Sequence, residues 1–152
     1  MDEATLASWM RNESARIRDL ASELREHVTT IPPRSREPWL KELALRFDHL
    51  KAHLYRMMAI EEEDGYLTPV IEHRPGLTGA VEALRHEHDE LRWLTENLAE
   101  TVRNLKPEDN LILRDTCTRI QVYLGHVQRH EEHENHIVLY TLTEDIGTTE
   151  SG

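Results

Sequence analysis

One cysteine, six glycines, six prolines and a single phenylalanine are spread over 152 residues. Each scarcity removes a class of protein. A lone Cys117 cannot close a disulfide within the chain and cannot build a zinc–cysteine site. Few glycines and aromatics, against abundant leucine and charge, disfavour a sheet and favour helices. No apolar run approaches the ~20 residues that a membrane helix requires. Positive charge is in deficit: 18 Lys and Arg against 29 Asp and Glu give a formal net charge of −11. Nucleic acids and anionic lipid surfaces both need a basic patch, so neither is an expected partner. The opening "MDEATLASWMRNESAR" is charged throughout and reads as no signal peptide. The expectation is one cytoplasmic domain over residues 1–152, long enough to bury a core.

Histidine, by contrast, is plentiful at ten residues. Four of them, with three glutamates, crowd into "GHVQRHEEHENHIVLY" at 125–140. His126, His130 and Glu134 are four residues apart, a spacing that stacks side chains on one helical face.

Apolar periodicity predicts four long helices. The first spans about Ala4 to Thr30, with Leu6, Met10, Ile17, Leu20 and Leu24 on one stripe, and "IPPRSREP" ends it because proline cannot continue a helix. The second starts near Trp39 and carries Leu43, Phe47, Leu50, Leu54, Met57 and Glu61 up to the connection "DGYLTPVIEHRPG". The third carries Leu77, Val81, Leu84, His88, Leu91, Leu98, Val102 and Leu105. After the turn "KPED", the fourth carries Leu113, Cys117, Ile120, Leu124, Val127, Glu134 and Val138. "TEDIGTTESG" reads as a docked or frayed tail. Short connections between long helices imply an all-α, up-down-up-down four-helix bundle.

Glu61, His88 and Glu134 interrupt otherwise apolar stripes, and a buried lone carboxylate is costly without a partner. In an antiparallel hairpin, facing residues mirror about the middle of the turn. Mirroring about residue 73 sets Met57 opposite residue 89, beside His88; mirroring about residue 109 sets His88 opposite His130. Glu61, His88, His130 and Glu134 therefore converge from three helices. Imidazole and carboxylate together suit iron, manganese or zinc.

The segments "EEEDGYL" at 61–67, "LRHEHDEL" at 84–91 and "HEEHENHIVLYTLTEDIG" at 130–147 resemble the hemerythrin-like family, the HHE cation-binding bundles, over about Trp9 to Gly147. The resemblance implies non-haem iron held by histidines from all four helices, with two bridging carboxylates. It carries over to His88, His130, Glu61 and Glu134. The second-helix histidine is replaced by Met57 and the first-helix histidine by Ser14. His27 is no substitute, being ~24 Å along the helix from the required height; it is expected at the helix end, where a cation favours the dipole. Glu13 lies near the right height, and His53 with His126 forms a layer one turn away that also contains Arg18 and Arg92. His49, His73, His86, His133 and His136 are expected in solvent or off the site.

Four of six implied ligands are enough for one metal, so the expected ratio is about one iron per chain, with a di-metal centre, zinc or manganese as alternatives. The expected function is binding or sensing of dioxygen, nitric oxide, redox state or iron. The alternatives are a carboxylate-bridged redox enzyme acting on peroxide, and a metal-free helical scaffold. No nucleophile–base pair or phosphate loop supports hydrolase or kinase chemistry.

Overall fold

The computed structural model describes residues 3–63, 72 and 74–139. Four long helices run through them: α1 (Glu3–Thr29), α2 (Arg36–Glu63), α3 (Thr78–Arg103) and α4 (Asn110–Glu134). A short 3-10 turn, Pro75–Leu77, leads into α3, and a wider π turn, Asn135–Leu139, extends α4. There is no strand among the described residues. Each helix packs on its neighbours in the chain, and α1 against α4 closes the ring. This is the expected four-helix bundle.

The boundaries differ from the periodicity reading in ways that local chemistry explains. Helix α2 starts at Arg36 rather than near Trp39, because Pro38 sits in the first turn, where a missing N–H costs no helical hydrogen bond. Ser35 takes a left-handed φ of 56° just before it, turning the chain from α1 into α2. Leu77 and Leu105 lie just outside α3 and pack against the core from the flanks. Helix α3 ends when the Asn104 N–H bonds back to Glu100 and Thr101. The expected tail, the residues 64–71 and His73 lie outside the described residues, as does the side chain of Val138.

Arg36 ties two connections together at one end of the bundle. Its Nε donates to the Pro32 carbonyl at 2.9 Å, and its Nη1 donates to the Pro107 carbonyl at 2.9 Å and to the Asn110 side chain. At the same end His27 and Trp39 clasp α1 to α2. The His27 ring stacks on Trp39 at 5.2 Å and donates from Nε2 to the Trp39 carbonyl, while the indole N–H donates to the His27 carbonyl. His27 is thus a packing residue in the last turn of α1, as its height required.

The interior is a continuous apolar column of Met10, Ile17 and Leu24 from α1, Leu43, Phe47, Leu50 and Leu54 from α2, Val81, Leu84 and Leu98 from α3, and Ile120, Leu124 and Val127 from α4. Tyr123 is buried in it, and its hydroxyl has one assignable role. The Thr95 hydroxyl donates to the Leu91 carbonyl at 2.6 Å, so Tyr123 must donate to Thr95 across the 2.6 Å between their oxygens. Glu61 is 25 positions beyond Arg36 along α2, which at 1.5 Å per residue sets it about 37 Å away. The polar cluster therefore lies toward the far end from Arg36.

Candidate metal centre

His88 on α3 and His130 on α4 face each other across the bundle axis, with ring centres 4.9 Å apart. The expected mirror about residue 109 places them so. Glu134, one turn beyond His130 on α4, brings its Oε2 to 3.0 Å from His130 Nε2 and 3.9 Å from His88 Nε2. Glu61 brings its Oε2 to 3.5 Å from His88 Nε2. Glu61, His88 and Glu134 are fully buried and His130 nearly so, at 2 % exposure. All four residues expected from the sequence are thus gathered in one interior cluster. Ligand atoms of His88, His130 and Glu134 lie within 4.8 Å of one another, close enough to hold a metal ion.

The outer nitrogens decide which way these imidazoles are wired. His88 Nδ1 lies 2.8 Å from Glu62, and His130 Nδ1 lies 2.9 Å from Glu87. An ionised carboxylate only accepts, so each Nδ1 carries the proton and donates it. When the ring is neutral, its Nε2 lone pair then points inward. A carboxylate on the far nitrogen of a ligating histidine fixes the tautomer and strengthens the donor. Glu62 is in turn held by Arg92 at 2.7 Å, and Glu87 spans from His130 to His133 Nδ1 at 2.9 Å. Sequence periodicity marked neither glutamate, since each sits on a helix flank that reads as solvated.

Six inward atoms make no hydrogen bond: both carboxylate oxygens of Glu61, both of Glu134, and Nε2 of His88 and of His130. The 3.0 Å contact between His130 and Glu134 is an ion-pair approach whose alignment falls short of a hydrogen bond. Buried polar atoms are nearly always satisfied. Six convergent exceptions, all of them metal-donor types, fit a cation.

The protonation energetics show the same strain. Burial raises Glu61 well above the ordinary carboxylate range, and the Glu134 charge beside it raises it further. Burial alone would also raise Glu134, but His130 and His88 outweigh it and hold it down to about 2. Burial alone would lower His130; Glu134 and Glu87 push it instead up to about 9. His88 is raised too, with Glu134 and Glu62 overcoming its burial. Partial burial pulls Glu62 up, yet Arg92 and then His88 keep it below the ordinary range. These shifts favour protons held on Glu61 and His130.

A family model described as the hemerythrin HHE cation-binding domain matches residues 5–142. The chain belongs to this family. No curated protein and no solved structure matches the chain. The family pattern and the interior cluster agree on cation binding, and the departures at 14 and 57 now have a structural setting. Met57 is fully buried in the apolar core. Ser14 is fully buried as well, and its hydroxyl donates to Glu131 Oε2 at 2.6 Å, while Asn135 Nδ2 donates to Ser14 at 3.3 Å.

The possible stand-ins are otherwise engaged. Glu13 is buried and pairs with His53 Nδ1 between α1 and α2. His126 Nδ1 accepts from Arg129 at 2.8 Å. Arg92 serves Glu62 rather than a layer with His53. His49, His86 and His136 are exposed, whereas His133, expected in solvent, shares Glu87 with His130. Among the described residues no helix is long and apolar enough to cross a membrane.

Proposed function

We propose that the chain binds a non-haem metal, iron in its working form, through His88, His130 and Glu134, with Glu61 as the fourth ligand. The observation that carries this reading is the pair of buried imidazoles whose Nδ1 protons are taken by Glu62 and Glu87. Their Nε2 atoms are thereby left for a cation. Two nitrogen and two carboxylate donors suit iron, manganese or zinc. A metal that accepts further ligands would keep an open position there, and its chemistry would be reversible capture of a small molecule. The chain's own residues orient the donors, exclude water and hold the protons of the outer nitrogens.

The ligand proposed is a diatomic such as dioxygen or nitric oxide, and the role is binding or sensing. A cleft of about 370 Å³ lined by Glu87, Leu91, His126, Arg129, His130 and His133 supports this reading, because it reaches the edge of the centre from solvent. The single Cys117, buried in α4, accords with the cytoplasmic setting expected from composition.

Metal analysis of protein purified without a metal-binding tag tests the reading. Near-stoichiometric iron, manganese or zinc is expected, lost in His130→Ala and retained in His136→Ala. Equal loss in both variants would sink the ligand assignment. Absence of metal from the unaltered protein, even after reconstitution, would favour the metal-free scaffold that Ser14 and Met57 bring into view.

A further inference from the structure

Four of the five large apolar side chains that stay exposed among the described residues lie on α3 and α4. Trp93 on α3 is 67 % exposed, and Val122, Leu111 and Ile112 on α4 are 58, 80 and 52 % exposed. Val122 and Leu111 are about three turns apart and share one outward stripe. Between the two helices runs a groove of about 300 Å³, walled by Trp93, Leu94, Asn97, Arg119, Val122 and His126. Single exposed apolar residues are ordinary, but a group of them around a groove marks a contact surface. Gly125 adds a second feature. It sits inside α4, where glycine costs stability relative to alanine. A Cβ there would meet nothing within 4 Å, so no neighbour in the chain requires its absence.

The charges beside the groove are sorted by helix. In a chain of formal net charge −11, the exposed acids Glu90 and Glu100 lie on the α3 side and the exposed bases Arg119 and Arg129 on the α4 side. The His88–His130 and Thr95–Tyr123 contacts show that heights on α3 and α4 mirror about residue 109. On that scale Glu90 is level with Arg129, Trp93 with Gly125, and Glu100 with Arg119. Asp115, the acid on the α4 side, is level with Arg103 and Asn104. The face is thus neutral on balance, and its two halves are complementary at each height.

We propose that a second copy of the chain docks on this face, α3 of each copy against α4 of the other, about a two-fold axis parallel to the bundle. Such an axis preserves height, so each level pair becomes a contact between copies. Trp93 then lies over the partner's Gly125, where the missing side chain lets the indole reach the helix backbone. Glu90 meets the partner's Arg129, and Glu100 meets the partner's Arg119. The symmetry repeats each pair, giving four opposite-charge contacts around two covered indoles. Turning one copy end for end about the middle of the groove would set α3 against α3 and bring Glu90 toward the partner's Glu100. Like charges facing across an interface are costly, so charge selects both the occupant and its direction. Leu94 and His126 line both the groove and the cleft beside His130, so the second copy borders the entry to the proposed centre.

Sedimentation equilibrium of the full chain, between about 1 and 100 μM, tests it. A concentration-dependent dimer is expected. Trp93→Ala should weaken it by about thirtyfold or more, the loss typical of a dominant interface residue. Gly125→Leu should also weaken it while raising the melting temperature of the dilute monomer, because leucine favours the helix; a glycine with only a structural role would not separate the two. Glu90→Arg and Arg129→Glu should each dimerise more weakly, since each sets like charges together twice. An equimolar mixture of those two variants should regain the dimer, because every pair is then opposite again. Far-ultraviolet circular dichroism should show all four variants fully helical. A chain that stays monomeric throughout overturns the proposal and leaves the groove to a partner of another kind. A dimer untouched by Trp93→Ala and by the charge reversals overturns it too, as the copies would then meet elsewhere. Failure of the mixture to recover would rule out the proposed pairing of α3 with α4.

Discussion

Removing Glu87 should weaken the metal without touching any proposed ligand. Its carboxylate holds His130 Nδ1 at 2.9 Å and His133 Nδ1 at 2.9 Å. In Glu87→Ala the His130 ring loses both its orientation and the anion that makes Nε2 a stronger donor. Loss of such an outer partner typically costs about 10–100-fold in metal affinity. Glu87 has a side-chain exposure of 30 %, so water can enter and accept the hydrogen bond from the His130 Nδ1–H in its place. That replacement argues for the lower end, about tenfold, or roughly 1.4 kcal/mol. Glu87→Gln keeps an acceptor oxygen and should lose less. Glu90→Ala is the control, because Glu90 lines the same cleft. The measurement is competition for Zn²⁺ or Fe²⁺ against a chromophoric chelator of known affinity. If Glu87→Ala and Glu90→Ala agree within about twofold, the outer carboxylate does not tune the centre, and the argument from the Nδ1 contacts is wrong.

Three further outcomes are expected. The metal-free protein should be most stable at mildly acidic pH: the raised His130 contributes stability below its ordinary 6.5 and loses it toward about 9, whereas the depressed Glu134 contributes above its ordinary 4.5 and loses it toward about 2. Metal displaces those protons, so its stabilisation should grow as pH rises; thermal melts with and without Zn²⁺ check this, and a metal-free melting temperature that climbs from about pH 6.5 to 9 would contradict it. Tyr123→Phe should cost only about 0.5–1.5 kcal/mol in urea unfolding, because Thr95 keeps its bond to the Leu91 carbonyl and no buried donor is orphaned. Ser14→His combined with Met57→His should raise the iron ratio from near one toward two and create the absorption bands of a bridged pair, at a stability cost of about 1–3 kcal/mol for overpacking the fully buried position 14; two tightly held irons in the unaltered protein would refute it.

The helices, their order and the inner four residues were legible because straight antiparallel helices obey a simple reflection. Glu87–His130 and Thr95–Tyr123 both mirror about residue 109, and Glu13–His53 mirrors about residue 33, close to where the turns were placed from proline and glycine alone. A polar residue on an apolar stripe, once assigned a height, can therefore be matched with its partners. Glu62, Glu87 and Glu131 were not legible in that way. Each is a neighbour in sequence of a stripe residue, Glu61, His88 or His130, and so sits about 100° off the stripe, where charge usually means solvent. Their importance comes from the facing helix: Glu62 serves His88 on α3, and Glu87 serves His130 on α4. The one available signal was the run of acids directly beside each inner residue. The π turn was hidden for a similar reason, since Asn135 finds its partner, Ser14, 121 positions away.

The distribution of donors also bears on why the site lies far from the Arg36 end. There the bundle is closed by side chains that bond to backbone carbonyls, in the mutual grip of His27 and Trp39 and the fork of Arg36. The opposite half keeps its polar atoms in reserve, with unpaired oxygens on Glu61, Glu131 and Glu134 and unpaired nitrogens on His88 and His130. A fold can carry such unsatisfied groups only if the rest of the core holds it together or a ligand satisfies them. The apolar column from Leu24 to Leu124 meets the first condition, so the helices can assemble before a cation arrives. Binding would then satisfy an existing cluster rather than create one. Its free energy would appear as added stability of the site half, leaving the half tied by Arg36 largely unchanged.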